Sequence, residues 1–214
     1  MREPARVAIL GGTFDPIHRG HVEPLLAVAD SMGWDRILFV PAATQPFKTG
    51  RASSEAHHRW AMAALAISGN PRLLLSDIEL KRGEISYTVD TLDELRRAYP
   101  ASALEWIIGD DNLGLLTKWR SVERIFELAN FVVLTRHEDG AGGVARAPLV
   151  AARITTADNR GKNGGIVFAR NVQVPVSATD IRRRVRAGEG IRDLVDPLVA
   201  RYIQHNRLYQ EVQT

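Results

Sequence analysis

The 214-residue chain contains no cysteine, which excludes disulfides, thiolate metal sites and a cysteine nucleophile. It has no apolar run long enough to cross a bilayer, and Met1-Arg2-Glu3-Pro4 lacks the apolar core of a secretory signal. A cytoplasmic protein with no membrane partner is therefore expected. No internal repeat is evident, and the interleaved aromatic and basic residues of single-strand readers are missing. No nucleic-acid partner is expected on that ground. Charge of one sign is in small excess, with a formal net of +3. The basic residues crowd the C-terminal third, at Arg182-Arg183-Arg184 and Arg186, which suits a polyanionic ligand without separating nucleotide from nucleic acid. Hydrophobic residues make up 45%, ample for a core in a chain of this length. Composition leaves a homo-oligomer open.

What is present is concentrated near the N-terminus. Val7-Ala8-Ile9-Leu10 reads as a strand buried on both faces, ending in Gly11-Gly12 and passing through Thr13-Phe14-Asp15-Pro16-Ile17-His18-Arg19-Gly20-His21 into a helix. The glycines bare the backbone at a strand's carboxyl end, where open α/β sheets bind ligands. The helix N-terminus that follows offers unpaired N–H groups and a positive dipole end to a phosphate. His18 and His21, three apart, face the same way if a helical turn begins there. Imidazoles donate to phosphoryl oxygens when neutral and add charge when protonated. Locally, an ordinary tight turn with surface histidines, or a zinc pair, has the same composition.

The rest of the chain alternates between strand and helix. Helical stripes span 22–32, with Pro24 tolerated in a first turn and Gly33 as the stop, and 53–67, capped by Ser53 or Ser54. Further helices are expected at 88–98 and 121–128. Strands are expected at 36–40, 73–75, 104–108, 131–134 and 165–169. This alternation predicts an α/β doubly wound parallel sheet with helices on both faces. Residues 137–164, rich in Gly, Asp and Arg, read as an irregular insertion in which 147–152 could form a short helix. A capped basic helix at 177–186 and a last helix from about 195 to 206 close the chain. The organisation expected is a single domain over 1–214, with a C-terminal helical part at about 177–210.

The N-terminal string resembles the GxFDPxHxGH signature of the adenylyl- and cytidylyltransferase superfamily, with His18-Arg19-Gly20-His21 as its H-x-G-H element. Val176-Ser177-Ala178-Thr179-Asp180-Ile181-Arg182 resembles that superfamily's I-S-S-T-x-I-R motif, with Val176 for Ile and Ala178 for Ser. Alone it would read as a capped, solvated basic helix. In order after the first motif, its hydroxyls, helix start and planar Arg182 fork suit a phosphate. Ser86-Tyr87-Thr88-Val89-Asp90-Thr91-Leu92 and Gly109-Asp110-Asp111-Asn112-Leu113, with Trp119 downstream, resemble segments of the bacterial nicotinate mononucleotide adenylyltransferases. The P-x-x-x-P-P-H-K loop of that family stands here as 41–48, with Phe47 for His and Lys48 kept, and its R-P-G arginine as Arg136 followed by His137-Glu138. The closing helix also matches, through Leu208-Tyr209, and is given a structural role. The match covers about 1–136 and 172–210.

The resemblance implies a Rossmann-like fold and transfer of the adenylyl group from ATP to nicotinate mononucleotide, yielding pyrophosphate and a dinucleotide precursor of NAD. His18, His21, Lys48 and Arg182 become the catalytic set. Gly11, Gly12, Thr13, Phe14, Gly109, Asp110, Ser177 and Thr179 join them around ATP. Asp15, Thr88, Trp119 and Arg136 fall to the acceptor, with Thr88 on the nicotinate carboxylate and Trp119 stacked on the ring. Taken alone, Trp119 reads better as a core residue, and Asp110 as a surface turn acid. Mg²⁺ is expected on the triphosphate, with no protein side chain assigned to it. The competing readings are another acceptor, nicotinamide mononucleotide or phosphopantetheine, and a nucleotide-binding sensor without catalysis.

Overall fold

The computed structural model describes residues 4–44, 53–134, 148–170 and 172–210. Strand β1 (Arg6–Gly12) leads to helix α1 (Arg19–Val28), and β2 (Arg36–Pro41) to α2 (Ala56–Ile67). Next come β3 (Leu73–Leu75), the short α3 (Ile78–Arg82), α4 (Thr88–Ala98) and β4 (Ala103–Gly109). After β4 lie α5 (Asp110–Leu113), a 3-10 turn at Leu116–Lys118, α6 (Val122–Leu128) and β5 (Asn130–Leu134). The remaining elements are α7 (Pro148–Ala151), β6 (Ile154–Thr155), β7 (Ile166–Ala169), α8 (Ala178–Arg186) and α9 (Pro197–His205).

The strands form one parallel sheet in the order β3-β2-β1-β4-β5-β7-β6. Alternation along each strand sends side chains to two cores. Val7 and Ile9 of β1 pack with Leu104, Trp106 and Ile108 of β4 beneath α4 and α6. Ala8 and Ile107 point the other way, under α1, α2, α8 and α9. This is the Rossmann-like, doubly wound arrangement that the alternating pattern predicts. From β1 the chain moves outward through β2 to β3, then crosses back and builds outward from β4. A crevice therefore opens at the carboxyl ends of β1 and β4, where the winding reverses. Gly11-Gly12 and Gly109-Asp110 lie at those two ends. Among the described residues, no helix is long and apolar enough to cross a membrane.

Several local expectations are corrected. Helix α1 begins at Arg19 rather than Val22, so Pro24 sits in its second turn, where its missing N–H leaves the Gly20 carbonyl without an intrahelical donor. The helix ends at Val28; residues 29–32 continue as turns, and Gly33, with φ of 60°, turns the chain. The N-cap of α2 is Glu55, neither Ser53 nor Ser54, because the Ser54 backbone is used elsewhere. Within the expected irregular insertion the short helix foreseen at 147–152 is present as α7, whereas β6 was not expected: Ile154 and Thr155 pair with Ile166 and Val167 at the sheet edge. A two-residue strand is too short to show a period, and side chains from outside it hold it. The Asn130 amide donates to the Gly161 carbonyl and accepts from Gly165 N–H, tying the 161–165 turn to β5. Residues 137–147 lie outside the described residues.

Arg160 anchors the same segment to the amino end of the sheet. Its Nε donates to Glu105 at 2.6 Å, and its Nη2 to the Met32 carbonyl. Glu105 is fully buried and also accepts from Arg6 at 2.7 Å and from the Trp34 indole at 2.5 Å. A carboxylate removed from water is tolerated only with such a full complement of donors. Glu105→Ala strands two cations and an indole N–H, and should lower the unfolding free energy by about 3–5 kcal/mol. Because this cluster sits at the end of the sheet opposite the crevice, the protein that remains folded should keep whatever activity the crevice carries. Urea denaturation and active-site-normalised kinetics check the two halves of this expectation.

Candidate active site

The loop leaving β1 is packed around aromatic rings. A Cβ on Gly11 would lie 2.8 Å from Trp106 Cζ2, and one on Gly12 2.9 Å from Phe14 Cε1. Both glycines are thus required for ring packing before any ligand is considered. Phe14 is buried and holds φ of 52°, a left-handed conformation unusual for a bulky residue and typical of strained functional loops. Its ring meets His21 edge-on at 5.2 Å between centroids and lies 5.9 Å from Phe39.

His18 is the N-cap of α1 and His21 its third residue. Their rings stack at 3.7 Å between centroids with 29° between planes, and His18 N–H donates to His21 Nδ1 at 3.2 Å. Acceptance at Nδ1 places the proton of a neutral His21 on Nε2. The helical turn expected from the spacing therefore does bring the two imidazoles together. Gly20 permits it: a Cβ there would lie 3.1 Å from His18 Nδ1 and 3.2 Å from the Val174 carbonyl. One expected donor of the helix start is already used, since Arg19 N–H binds the Leu194 carbonyl at 3.0 Å.

The second motif docks against the same loop. Ser177 caps α8 by accepting from Asp180 N–H. Arg182 donates through Nη1 to the Asp15 carbonyl at 2.6 Å and through Nη2 to Thr179 Oγ1 at 3.3 Å. Arg183, first, and Arg184 hold the Asp180 carboxyl below the usual carboxylate range. Gly109 caps α5, and Asp110, partly buried, is its first residue at the reversal point of the sheet.

Of the residues expected at the acceptor, Thr88 and Trp119 lie on neighbouring segments. Ser86 N–H donates to the Thr44 carbonyl at 2.8 Å, its Oγ accepts from Ala43 N–H at 3.1 Å, and Thr44 pairs with Ile85. The segment is thereby stitched to the exit of β2, and Thr88 follows as the first residue of α4. Arg120 lies over the Tyr87 ring at 4.7 Å and pairs with Asp90 at 3.3 Å, which joins α4 to the segment bearing Trp119. Trp119 is half-buried; its ring meets Phe131 edge-on at 5.7 Å, and its indole N–H is buried with no hydrogen bond to any described residue. Core packing thus accounts for part of this side chain. Lys48 and Arg136 lie outside the described residues.

Two contributors were not visible as site residues in the sequence. Arg59 is 2% exposed and donates to the carbonyls of Thr13 at 2.9 Å, Ala42 at 2.6 Å, Ala43 at 3.4 Å and Ser54 at 3.1 Å. It links the histidine loop to the β2 exit, and through Ala43 to the Ser86–Thr88 segment. Burial draws its guanidinium below the ordinary value, while nearby Asp15 opposes that shift. Its signal was positional: Arg59 shares the buried face of α2 with Met62, Ala63 and Ile67, and a cation on an apolar stripe needs internal partners. Tyr209 is the other, with its hydroxyl on Asp15 Oδ1 at 2.7 Å.

The doubly wound sheet, the stacked imidazoles at its reversal point and the arginine-bearing α8 define the class of α/β nucleotide-binding proteins. The chain belongs to the cytidylyltransferase-like family, whose model matches residues 9–184. It is 39% identical over 210 residues to a protein of Symbiobacterium thermophilum named probable nicotinate-nucleotide adenylyltransferase, covering 96% of this chain and 95% of that one. A protein of the same name from Thermomicrobium roseum is 36% identical, covering 98% and 94%. The nicotinic acid mononucleotide adenylyltransferase of Plasmodium falciparum, solved with NaAD, superposes with a TM-score of 0.68 at 21% identity, covering 95% and 97%. That likeness speaks for the fold.

Arg59→Met leaves the carbonyls of Thr13, Ala42, Ala43 and Ser54 without their shared donor and should cost about 3 kcal/mol of stability. Arg59→Lys should recover less than half, because an ammonium cannot reproduce the planar fork. Denaturant titration of both variants gives the comparison.

Proposed function

We propose that the protein transfers the adenylyl group of ATP to nicotinate mononucleotide, releasing pyrophosphate and forming nicotinate adenine dinucleotide for NAD biosynthesis. The observation that carries this reading is the His18–His21 stack at the head of α1, beside the β1–β4 crevice. Near full-length similarity to relatives named for this reaction supports the choice of acceptor.

The reaction makes modest demands on the protein. The 5′-phosphate of the mononucleotide, with a second pKa of about 6, is already ionised near neutrality and needs no general base. One of its oxygens attacks the α-phosphorus of ATP in line; a new P–O–P bridge forms as the α–β bridge breaks, and pyrophosphate leaves with the electron pair. Catalysis then consists of aligning two polyanions and offsetting charge on the transferred group. His18 and His21 donate to the α-phosphoryl oxygens. With five N–H donors, Arg182 can keep its bonds to Asp15 and Thr179 and still present a pair to the β- and γ-phosphates, joined there by Lys48. Gly11, Gly12, Thr13, Phe14, Gly109, Asp110, Ser177 and Thr179 surround ATP, while Thr88, Trp119 and Arg136 receive the acceptor, an electron-poor ring suiting the indole face.

Among the described residues, no group of three or more His, Asp or Glu side chains converges to hold a metal ion. When bound, Mg²⁺ would be carried on the triphosphate oxygens and would offset charge on the leaving pyrophosphate.

Pyrophosphate release from ATP and Mg²⁺ should be fast with nicotinate mononucleotide and much slower with nicotinamide mononucleotide or phosphopantetheine. A preference for either of the latter would sink the acceptor assignment and leave the ATP half standing. His21→Ala should lower kcat by about 10²–10³ while moving the KM for ATP only a few-fold, since its contact strengthens in the transition state. Steady-state kinetics in which kcat stays near the parental value would remove His21 from the mechanism.

A further inference from the structure

Asp15 is 7% exposed and lies in the turn between β1 and α1. Both of its carboxylate oxygens are engaged: Oδ1 accepts from the Tyr209 hydroxyl at 2.7 Å, and Oδ2 from Ser54 N–H at 3.2 Å. Its carbonyl accepts from Arg182. Such enclosure is how a protein fixes a turn, because each acceptor is committed before a substrate arrives.

Tyr209 reaches Asp15 across 194 residues of sequence. After α9 the chain reverses: Arg207 has φ of 52°, Leu208 N–H returns to the Ile203 carbonyl at 3.0 Å, and Tyr209 has φ of 64°. Two consecutive departures into left-handed backbone, separated by one residue, aim the phenol inward rather than letting the terminus run into solvent. Burial, and then the charge of Asp15, push the phenol far above its ordinary range, so that the hydroxyl remains a donor.

We propose that Tyr209 is a positioning residue for adenylyl transfer, holding Asp15 so that the turn delivers His18 to the head of α1. The Asp15 carboxylate is then an anchor of the turn, in place of the acceptor contact that family resemblance implies. Only Pro16 and Ile17 separate Asp15 from His18, so a displaced Asp15 moves the imidazole pair directly, and small misplacements of such groups slow reaction more than they weaken binding. The proposal rests on the adenylyl-transfer reading.

Tyr209→Phe keeps the ring and removes the hydroxyl. We expect kcat to fall about tenfold, equivalent to about 1.4 kcal/mol of barrier, with KM for ATP and nicotinate mononucleotide within about twofold. Asp15→Asn should lose a similar amount, and the double variant should be no slower than the slower single one, because both act through one contact. Tyr202→Phe removes another C-terminal hydroxyl, bonded to His58 at 2.9 Å, and should leave kcat unchanged. Independently of turnover, the imidazole NMR signals of His18 and His21 should move in Tyr209→Phe while those of exposed His57 stay. Parental kcat in Tyr209→Phe, additive losses in the double variant, or unmoved His18 and His21 signals would each overturn the proposal. A parental enzyme that uses a different acceptor would overturn only the choice of substrate, because the NMR comparison needs none.

Discussion

Parallel strands end by releasing backbone carbonyls that no neighbouring strand satisfies, and in this protein one buried guanidinium gathers them. Arg59 binds Thr13 at the exit of β1, Ala42 and Ala43 at the exit of β2, and Ser54 ahead of its own helix. A desolvated cation is costly alone, and unpaired carbonyls are costly alone; each offsets the other only in this geometry. The histidine loop, the β2 exit and, through the Ala43–Ser86 bond, the start of α4 thereby share one reference point. The exits of β1 and β2 and the start of α4 are thus held by one residue of α2, 46 positions from Thr13 in the chain.

The sheet separates two tasks. At its amino end, Glu105 collects Arg6, Trp34 and Arg160 into a buried polar cluster that ties the late β6–β7 segment to the central strands. At its carboxyl end, glycines, a left-handed Phe14 and stacked imidazoles leave backbone and rings clustered at the crevice. The division follows from parallel winding, which puts every loop after a strand on one edge and every loop before a strand on the other. Strain and polarity can then be concentrated at the working edge while the opposite edge carries ionic stitching.

Much of this was legible in the chain. The strands at 73–75 and 131–134 and the helices at 88–98 and 177–186 lie within a residue or so of their positions, because period and capping are local properties. Ser177 caps α8 as its sequence suggests. Errors arose where a distant partner decided the outcome. Ser54 does not cap α2 because its N–H serves Asp15 and its carbonyl serves Arg59. Strand β6 is too short for a pattern and exists because β7 offers it an edge. At Gly11 and Gly12 the packing of the Trp106 and Phe14 rings against the bare backbone was not legible in the sequence, and it stands beside the ligand role expected there. Short α3 and α5 went unread for the same reason that a single turn carries almost no periodic signal.

The sequence by itself determined the alternation of strand and helix, the doubly wound class and the pairing of His18 with His21, since spacing along a helix or strand dictates which side chains share a face. It also carried the motifs that place the chain among the cytidylyltransferase-like proteins. Only the tertiary structure decided that Arg59 lies beneath the site and that Tyr209 closes on Asp15. Those contacts join residues far apart in the chain, and their geometry depends on how helices seat on the sheet, which no local pattern encodes.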